Sequence, residues 1–87
     1  MKEEQNKIIY IEDNEEMGFV EYIPKDNNTV DIIHTYVDPK YRGKKIASKL
    51  LNYLFEKLKQ EDKKAICSCS YAKDWVENNE EYKNQVK

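Results

Sequence analysis

The sequence predicts an α+β domain: a mostly antiparallel sheet with one parallel pair, one long helix and a short C-terminal helix. Three observations carry this. Residues 7–37 alternate between β-rich runs and clusters of turn formers. From Ile46 the apolar period changes to that of a helix. A further β-rich run then follows, and after it a second, shorter helical stripe.

Lys7 to Glu12 (Lys-Ile-Ile-Tyr-Ile-Glu) reads as the first strand, and Asp13-Asn14-Glu15 as a turn. Glu16 to Ile23 reads as the second strand, with Gly18 early in it, and Pro24-Lys25-Asp26-Asn27-Asn28 is a loop of strong turn formers. Thr29 to Val37 is the third strand. Strict alternation puts Val30, Ile32 and Tyr36 on one face and Ile33 and Val37 on the other, the pattern of a central strand. The short connections favour an antiparallel meander.

Ile46, Ala47, Leu50, Leu51, Leu54, Phe55 and Leu58 then form the best helical stripe in the chain. Lys44, Lys45, Lys49, Asn52, Glu56, Lys57 and Lys59 take the wet face. After the loop Glu61-Asp62-Lys63, Lys64 to Ser70 reads as a fourth strand. Because a helix connects it to the third, those two strands are expected to be parallel, with a right-handed crossover. Tyr71, Ala72, Trp75 and Val76 predict the short second helix, with residues 79–87 continuing it or fraying.

The chain has 87 residues, which implies one domain, residues 1–87. Hydrophobic content is 39% against 37% charged, but the apolar residues are periodic, which argues against disorder. A formal net charge of −2 gives no global reason to expect nucleic-acid binding. No apolar run approaches the roughly 20 residues that cross a bilayer, so no membrane partner is expected. The first residues lack the apolar core of a signal peptide. Cys67 and Cys69, one residue apart, do not read as a secreted disulfide framework. A reducing, cytoplasmic location is the expectation that follows.

One local feature stands apart from this balance. Four of the six residues from Lys40 to Lys45 are basic and none is acidic, and they lie where the long helix begins. A helix N-terminus carries roughly +0.5 of an elementary charge and normally selects acidic neighbours. Cations there suit a bound anion, cradled by free backbone N–H groups beside Gly43. A solvated lysine-rich helix start is the competing reading from charge alone. The loop is neither a Walker A sequence nor Gly-x-Gly-x-x-Gly.

The run His34-Thr35-Tyr36-Val37-Asp38-Pro39-Lys40-Tyr41-Arg42-Gly43-Lys44-Lys45-Ile46-Ala47-Ser48-Lys49-Leu50-Leu51 resembles the acetyl-CoA signature of the GCN5-related N-acetyltransferases. Cys69-Ser70-Tyr71, followed by Trp75-Val76 and Glu81-Tyr82, looks like the end of a very small subfamily that typically reads Cys-Pro-Tyr, then His-Pro-Glu-Tyr. Asn79-Glu80 stands where that subfamily has His-Pro. The resemblance implies a minimal form of the family fold. It also implies acetyl-CoA or CoA as cofactor, held at Arg42, Gly43, Lys44, Lys45, Ile46, Ala47 and Ser48 through an Arg/Gln-x-x-Gly-x-Gly/Ala loop. Arg42 fills the first position, Ala47 the last, and Lys45 replaces the usual middle glycine. Tyr36 and Val37 would offer backbone groups to the pantetheine arm.

Two residues are candidates for chemistry. Cys69 ends the predicted fourth strand, where ligands gather in α/β sheets. A cysteine thiolate is a competent acyl acceptor if a base, a cation or a helix N-terminus activates it. The resemblance implies a functional cysteine there, one that could act as a transient acetyl carrier; a buried small hydrophobe is the alternative. His34 is the only histidine and lies on the adjacent strand, as a base for Cys69 or as a hydrogen-bonded structural residue. Tyr71 and Trp75 are expected to pack on the sheet and line the acceptor side. Cys67, Cys69 and His34 make a poor metal set, so no metal is expected. The expected activity is transfer of an acetyl group from acetyl-CoA to an unknown small-molecule or protein amine, directly or through Cys69. A CoA-binding module without transferase activity is the alternative.

Overall fold

The computed structural model describes residues 1–87 as a five-stranded sheet with its helices on one face. The strands are β1 (Lys2–Glu4), β2 (Lys7–Glu12), β3 (Glu15–Asp26), β4 (Thr29–Val37) and β5 (Lys64–Cys67). They lie in sequence order across the sheet. All neighbouring pairs are antiparallel except β4 with β5, which run parallel. The long helix α1 (Ile46–Gln60) connects those two strands, and α2 (Ser70–Glu77) follows β5. The parallel pair is therefore the one whose connection is long enough to cross over.

β1 was not foreseen, because Lys2-Glu3-Glu4 has no apolar residue and all three are exposed. It is held by charge instead. Glu3 meets Lys57 of α1 at 2.9 Å and accepts from the Tyr53 hydroxyl at 2.5 Å. Two further expectations shift. β3 runs on through Pro24 to Asp26. Pro24 is tolerated because β2 begins opposite Glu21, so its missing N–H faces an edge that has no partner strand. β5 ends at Cys67, not Ser70. The C-terminal residues form a 3-10 segment, Glu80–Gln85, and Val86 then makes one parallel bridge to Ala65.

The core lies between the sheet and α1. Ile46, Leu50, Leu51, Leu54, Phe55 and Leu58 are all buried, as the helical stripe predicts. They meet Ile8, Val20, Val30 and Ile32 from the sheet. Burying side chains of this size contributes about 1.5–3 kcal/mol each, which is what holds a short chain with so much charge in one shape. Phe55, Trp75 and Tyr82 stack with ring centroids 5.4–5.9 Å apart, fixing α2 and the C-terminal turn against α1.

The face assignment within β4 is corrected by a bulge. Glu21 pairs with His34 but Tyr22 pairs with Ile32, so Ile33 is an extra residue with no partner. A bulge reverses the alternation beyond it. Val30 and Ile32 face the helix, and after the bulge Thr35 and Val37 do so as well. Tyr36 joins His34 and Phe19 on the opposite, open face. At the same level Gly18 is close under β4. A Cβ there would lie 2.6 Å from the Tyr36 carbonyl oxygen, so no side chain fits without moving the strand.

Candidate functional site

β4 and β5 part company at one end of the sheet. Their pairing ends at Ile32 opposite Cys67, and the last link is the Cys69 N–H donating to the Ile32 carbonyl at 2.9 Å. Asp31 fixes this exit. Its buried carboxylate accepts from the Ser68 N–H at 3.2 Å and from the Ser68 hydroxyl at 2.8 Å, holding the turn that leads into α2.

Beyond that point β4 has an open edge. Asp38 donates its N–H to the Met17 carbonyl, so hydrogen-bonded pairs alternate back through Phe19–Tyr36 and Glu21–His34. The backbone groups of His34 and Tyr36 therefore point to β3. Those of Thr35 and Val37 point the other way, into the gap left by β5. The Val37 carbonyl there accepts from Arg42 Nε at 3.4 Å.

The connection from β4 to α1 is built in three steps. The Asp38 carboxylate accepts the Lys40 N–H at 2.9 Å and caps a 3-10 turn over Pro39–Tyr41. Gly43 then takes a φ of +93° and Lys45 a φ of +60°, both left-handed. Lys45 adopts the conformation that a glycine would hold without strain. α1 starts at once after it, with no side-chain cap and no acidic residue in its first turn. The first intrahelical bond reaches Lys45 from Lys49, which leaves the N–H groups of Ile46, Ala47 and Ser48 without intrahelical partners. The basic side chains spread around this point. Lys40 and Lys44 each lie over the Tyr41 ring, at 5.7 and 5.6 Å, and the Tyr41 hydroxyl bonds Glu15.

These parts enclose a cleft of about 310 Å³. Thr35 and Val37 form one wall, Ile46 and Ala47 another, and the loop with Tyr41, Arg42, Gly43 and Lys45 closes the end, while Tyr71 of α2 stands opposite. A helix N-terminus, two left-handed residues and an excess of cations give the cleft the chemistry of a phosphate site. The β4 wall, whose edge has no partner strand at Thr35 and Val37, suits an extended chain with amide groups.

Seven of the expected residues line the cleft, and six (Lys44, Ser48, Trp75, Tyr36, His34 and Cys69) lie outside its lining. Lys44 turns onto Tyr41 at the rim. Ser48 contributes its N–H, but its hydroxyl accepts the Trp75 indole N–H at 2.8 Å. Trp75 is therefore a packing residue between α1 and α2, not a lining residue. Tyr36 lies on the opposite face of the sheet because of the Ile33 bulge, and its backbone polar groups are directed to β3.

His34 is likewise on the open face, 3.5 Å from the Glu21 carboxylate. It does not touch Cys69, so the expectation that it activates that thiol is corrected. Cys69 Sγ instead lies 3.6 Å from the Thr35 hydroxyl, at the N-cap of α2 and half-buried behind the cleft wall. Cys67 lines a separate cavity, and burial pushes its thiol up to about 11.

Thr35 and Tyr41 are lining residues that sequence reasoning missed. Thr35 was within reach: it alternates with Val37, which the family loop already marks. Tyr41 carried no signal apart from its place among the basic residues.

A model of the GCN5-related N-acetyltransferases matches residues 7–86. A GCN5-like protein of Staphylococcus aureus solved by NMR is 30% identical, with a TM-score of 0.81 over 99% of this chain and 85% of its own. A GNAT family acetyltransferase from Elizabethkingia anophelis, solved with acetyl-CoA bound, shares the fold at a TM-score of 0.68 and 20% identity, over 85% of this chain and 51% of its own. Protein NATD1 of Danio rerio is 39% identical over 59 residues, which are 68% of this chain and 52% of that protein, so the chain spans about half the length of this relative. With its sheet, its open β4 edge and its uncapped helix start, the chain belongs to the GCN5-related N-acetyltransferase family.

Proposed function

We propose that this protein is an acetyltransferase that takes acetyl-CoA as donor and an amine as acceptor. The observation that carries the donor half is the uncapped start of α1, introduced by left-handed Gly43 and Lys45 and facing a cleft with no acidic lining residue. In this reading the N–H groups of Ile46, Ala47 and Ser48 hold the pyrophosphate, with Arg42 and Lys45 neutralising its charge. The free edge of β4 at Thr35 and Val37 orients the pantetheine arm. Acetyl-CoA supplies an activated thioester carbonyl. The chain's part is to bind, to align and to keep water from the end of the cleft.

In direct transfer the amine attacks as its free base: the N–C bond forms, the C–S bond breaks, and the proton released from the nitrogen goes to the departing CoA thiolate. A second route, through the Cys69 thiol, is favoured by one observation. Cys69 stands at a helix N-terminus and contacts Thr35, which lines the cleft. Incubation with acetyl-CoA separates these readings. Release of free CoA that depends on added amine supports the transferase. An acetyl adduct by intact mass that Cys69→Ser abolishes supports the thiol route. Binding of CoA without either outcome leaves a CoA-binding module.

A further inference from the structure

The basic residues that lead into α1 divide into two groups. Arg42 and Lys45 line the cleft, where the proposed function sets them against the pyrophosphate. Lys40 and Lys44 stand outside that lining, exposed at the rim. Their ammonium groups lie 5.7 and 5.6 Å from the centre of the Tyr41 ring, so both gather on one side chain of the cleft wall. The Tyr41 hydroxyl donates to the Glu15 carboxylate of β3, which fixes the ring at its hydroxyl end. Neither ammonium joins an ion pair, whereas Lys57 and Lys63, at the other end of α1, both do. Lys49, the remaining cation of this stretch, lies over Tyr10 instead.

The order of groups in CoA decides what meets this pair. In the reading above, the pantetheine arm runs inward along Thr35 and Val37, and the pyrophosphate stops at the start of α1. The next group outward is the ribose, which carries the 3′-phosphate. It leaves the cleft past the loop that closes its end, where Tyr41 stands. Arg42 and Lys45 match the two charges of the pyrophosphate. A phosphomonoester brings about −1.5 to −2 more at pH 7, and Lys40 and Lys44 are the two unpaired cations at the rim. A lysine ammonium is a compact charge on a flexible stem, which suits a phosphate held at an open rim.

We infer that Lys40 and Lys44, gathered on Tyr41, hold the 3′-phosphate of CoA and so select CoA over 3′-dephospho-CoA. This rests on the donor-site reading above and adds which residues set the choice of donor. Tyr41 is a positioning residue for the two ammonium groups.

The test is a calorimetric titration of the whole chain with CoA and with 3′-dephospho-CoA, in the wild type and in a Lys40→Gln, Lys44→Gln double variant. The wild type should bind CoA about two- to thirty-fold more tightly than dephospho-CoA, the scale of two exposed ion pairs. That advantage should shrink as salt is raised, because exposed charges are screened. The double variant should bind the two ligands alike, at the wild-type affinity for dephospho-CoA. Tyr41→Leu should lower the ratio of the two affinities, which a merely structural role would leave unchanged. Equal binding of both ligands by the wild type overturns the inference and leaves the pyrophosphate site standing. A double variant that keeps the full preference also overturns it, since the 3′-phosphate would then lie elsewhere. So does a double variant weakened equally towards both, which would put these lysines on the pyrophosphate. A wild-type chain that binds neither ligand defeats the donor-site reading, and this inference with it.

Discussion

Trp75 donates its indole N–H to Ser48 Oγ at 2.8 Å, across the joint between α2 and the first turn of α1. The bond ties the helix start that faces the cleft to the aromatic stack of Phe55, Trp75 and Tyr82. Ser48→Ala strands a half-buried donor and should cost about 1–3 kcal/mol. For a domain of this size each kcal/mol lowers the melting temperature by about 4–8 °C. A double-mutant cycle with Trp75→Phe should return a coupling of about 0.5–1.5 kcal/mol. Additive effects would mean that the two side chains act separately.

Lys45 occupies a left-handed position, with φ +60° and ψ +30°, the conformation that glycine adopts most freely. A non-glycine residue pays about 1–2 kcal/mol there. Glycine removes that strain but loses more freedom on folding, by about 0.5–1 kcal/mol. Lys45→Gly should therefore be neutral or stabilising by up to about 1.5 kcal/mol in thermal melts. A large loss of stability would show that the lysine side chain holds the loop.

Much of this arrangement is legible in the sequence, and the exceptions have physical causes. The stripe from Ile46 to Leu58 specifies α1 because burial and helical period coincide at every position except Ala47, which lines the cleft. The parallel β4–β5 pair follows from the length of that crossover. β1 is invisible to hydropathy because Glu3 is held by an ion pair and a phenol, not by burial. The faces of Tyr36, Thr35 and His34 depend on the Ile33 bulge, and a bulge leaves no mark in a run of β-branched and aromatic residues. The basic loop could be located from its charge. The left-handed turn at Lys45 could not, since lysine has no preference for it.

The tether of β1 predicts a pH dependence. Hydrogen bonds from Tyr53 and Lys57 hold the Glu3 carboxyl below its ordinary range, and Lys57 does the same to Glu61. Those two carboxylates, acting first through hydrogen bonds, raise the Lys57 ammonium. Depressed carboxyls stabilise the fold above their unfolded values, near pH 4.3, and that contribution is lost as pH falls through the folded ones. The raised lysine contributes fully below about pH 10.4 and loses its effect as pH rises through its folded value. In Lys57→Met the fall in melting temperature between about pH 5 and pH 2 should be shallower than in the wild type. Parallel curves would contradict the linkage.

Burial pushes the Cys67 thiol up to about 11, with smaller contributions from Cys69 and Asp31. In Cys69→Ser it is the only thiol left. Its alkylation by iodoacetamide should rise about ten-fold per pH unit through pH 10, because only the thiolate reacts. A plateau near pH 8–9 would mean an exposed, ordinary thiol.

The central claim is that the start of α1 binds the pyrophosphate of CoA, and thermal melting in the presence of CoA tests it most directly. A ligand at about 100 times its Kd stabilises the native state by about 2.7 kcal/mol. For a chain this short that is a rise of roughly 10–20 °C in melting temperature. The wild type should show this rise. The Arg42→Glu, Lys45→Glu double variant should melt near the wild-type temperature without ligand and lose most of the rise. A wild-type melting temperature that stays flat up to millimolar CoA would contradict the account.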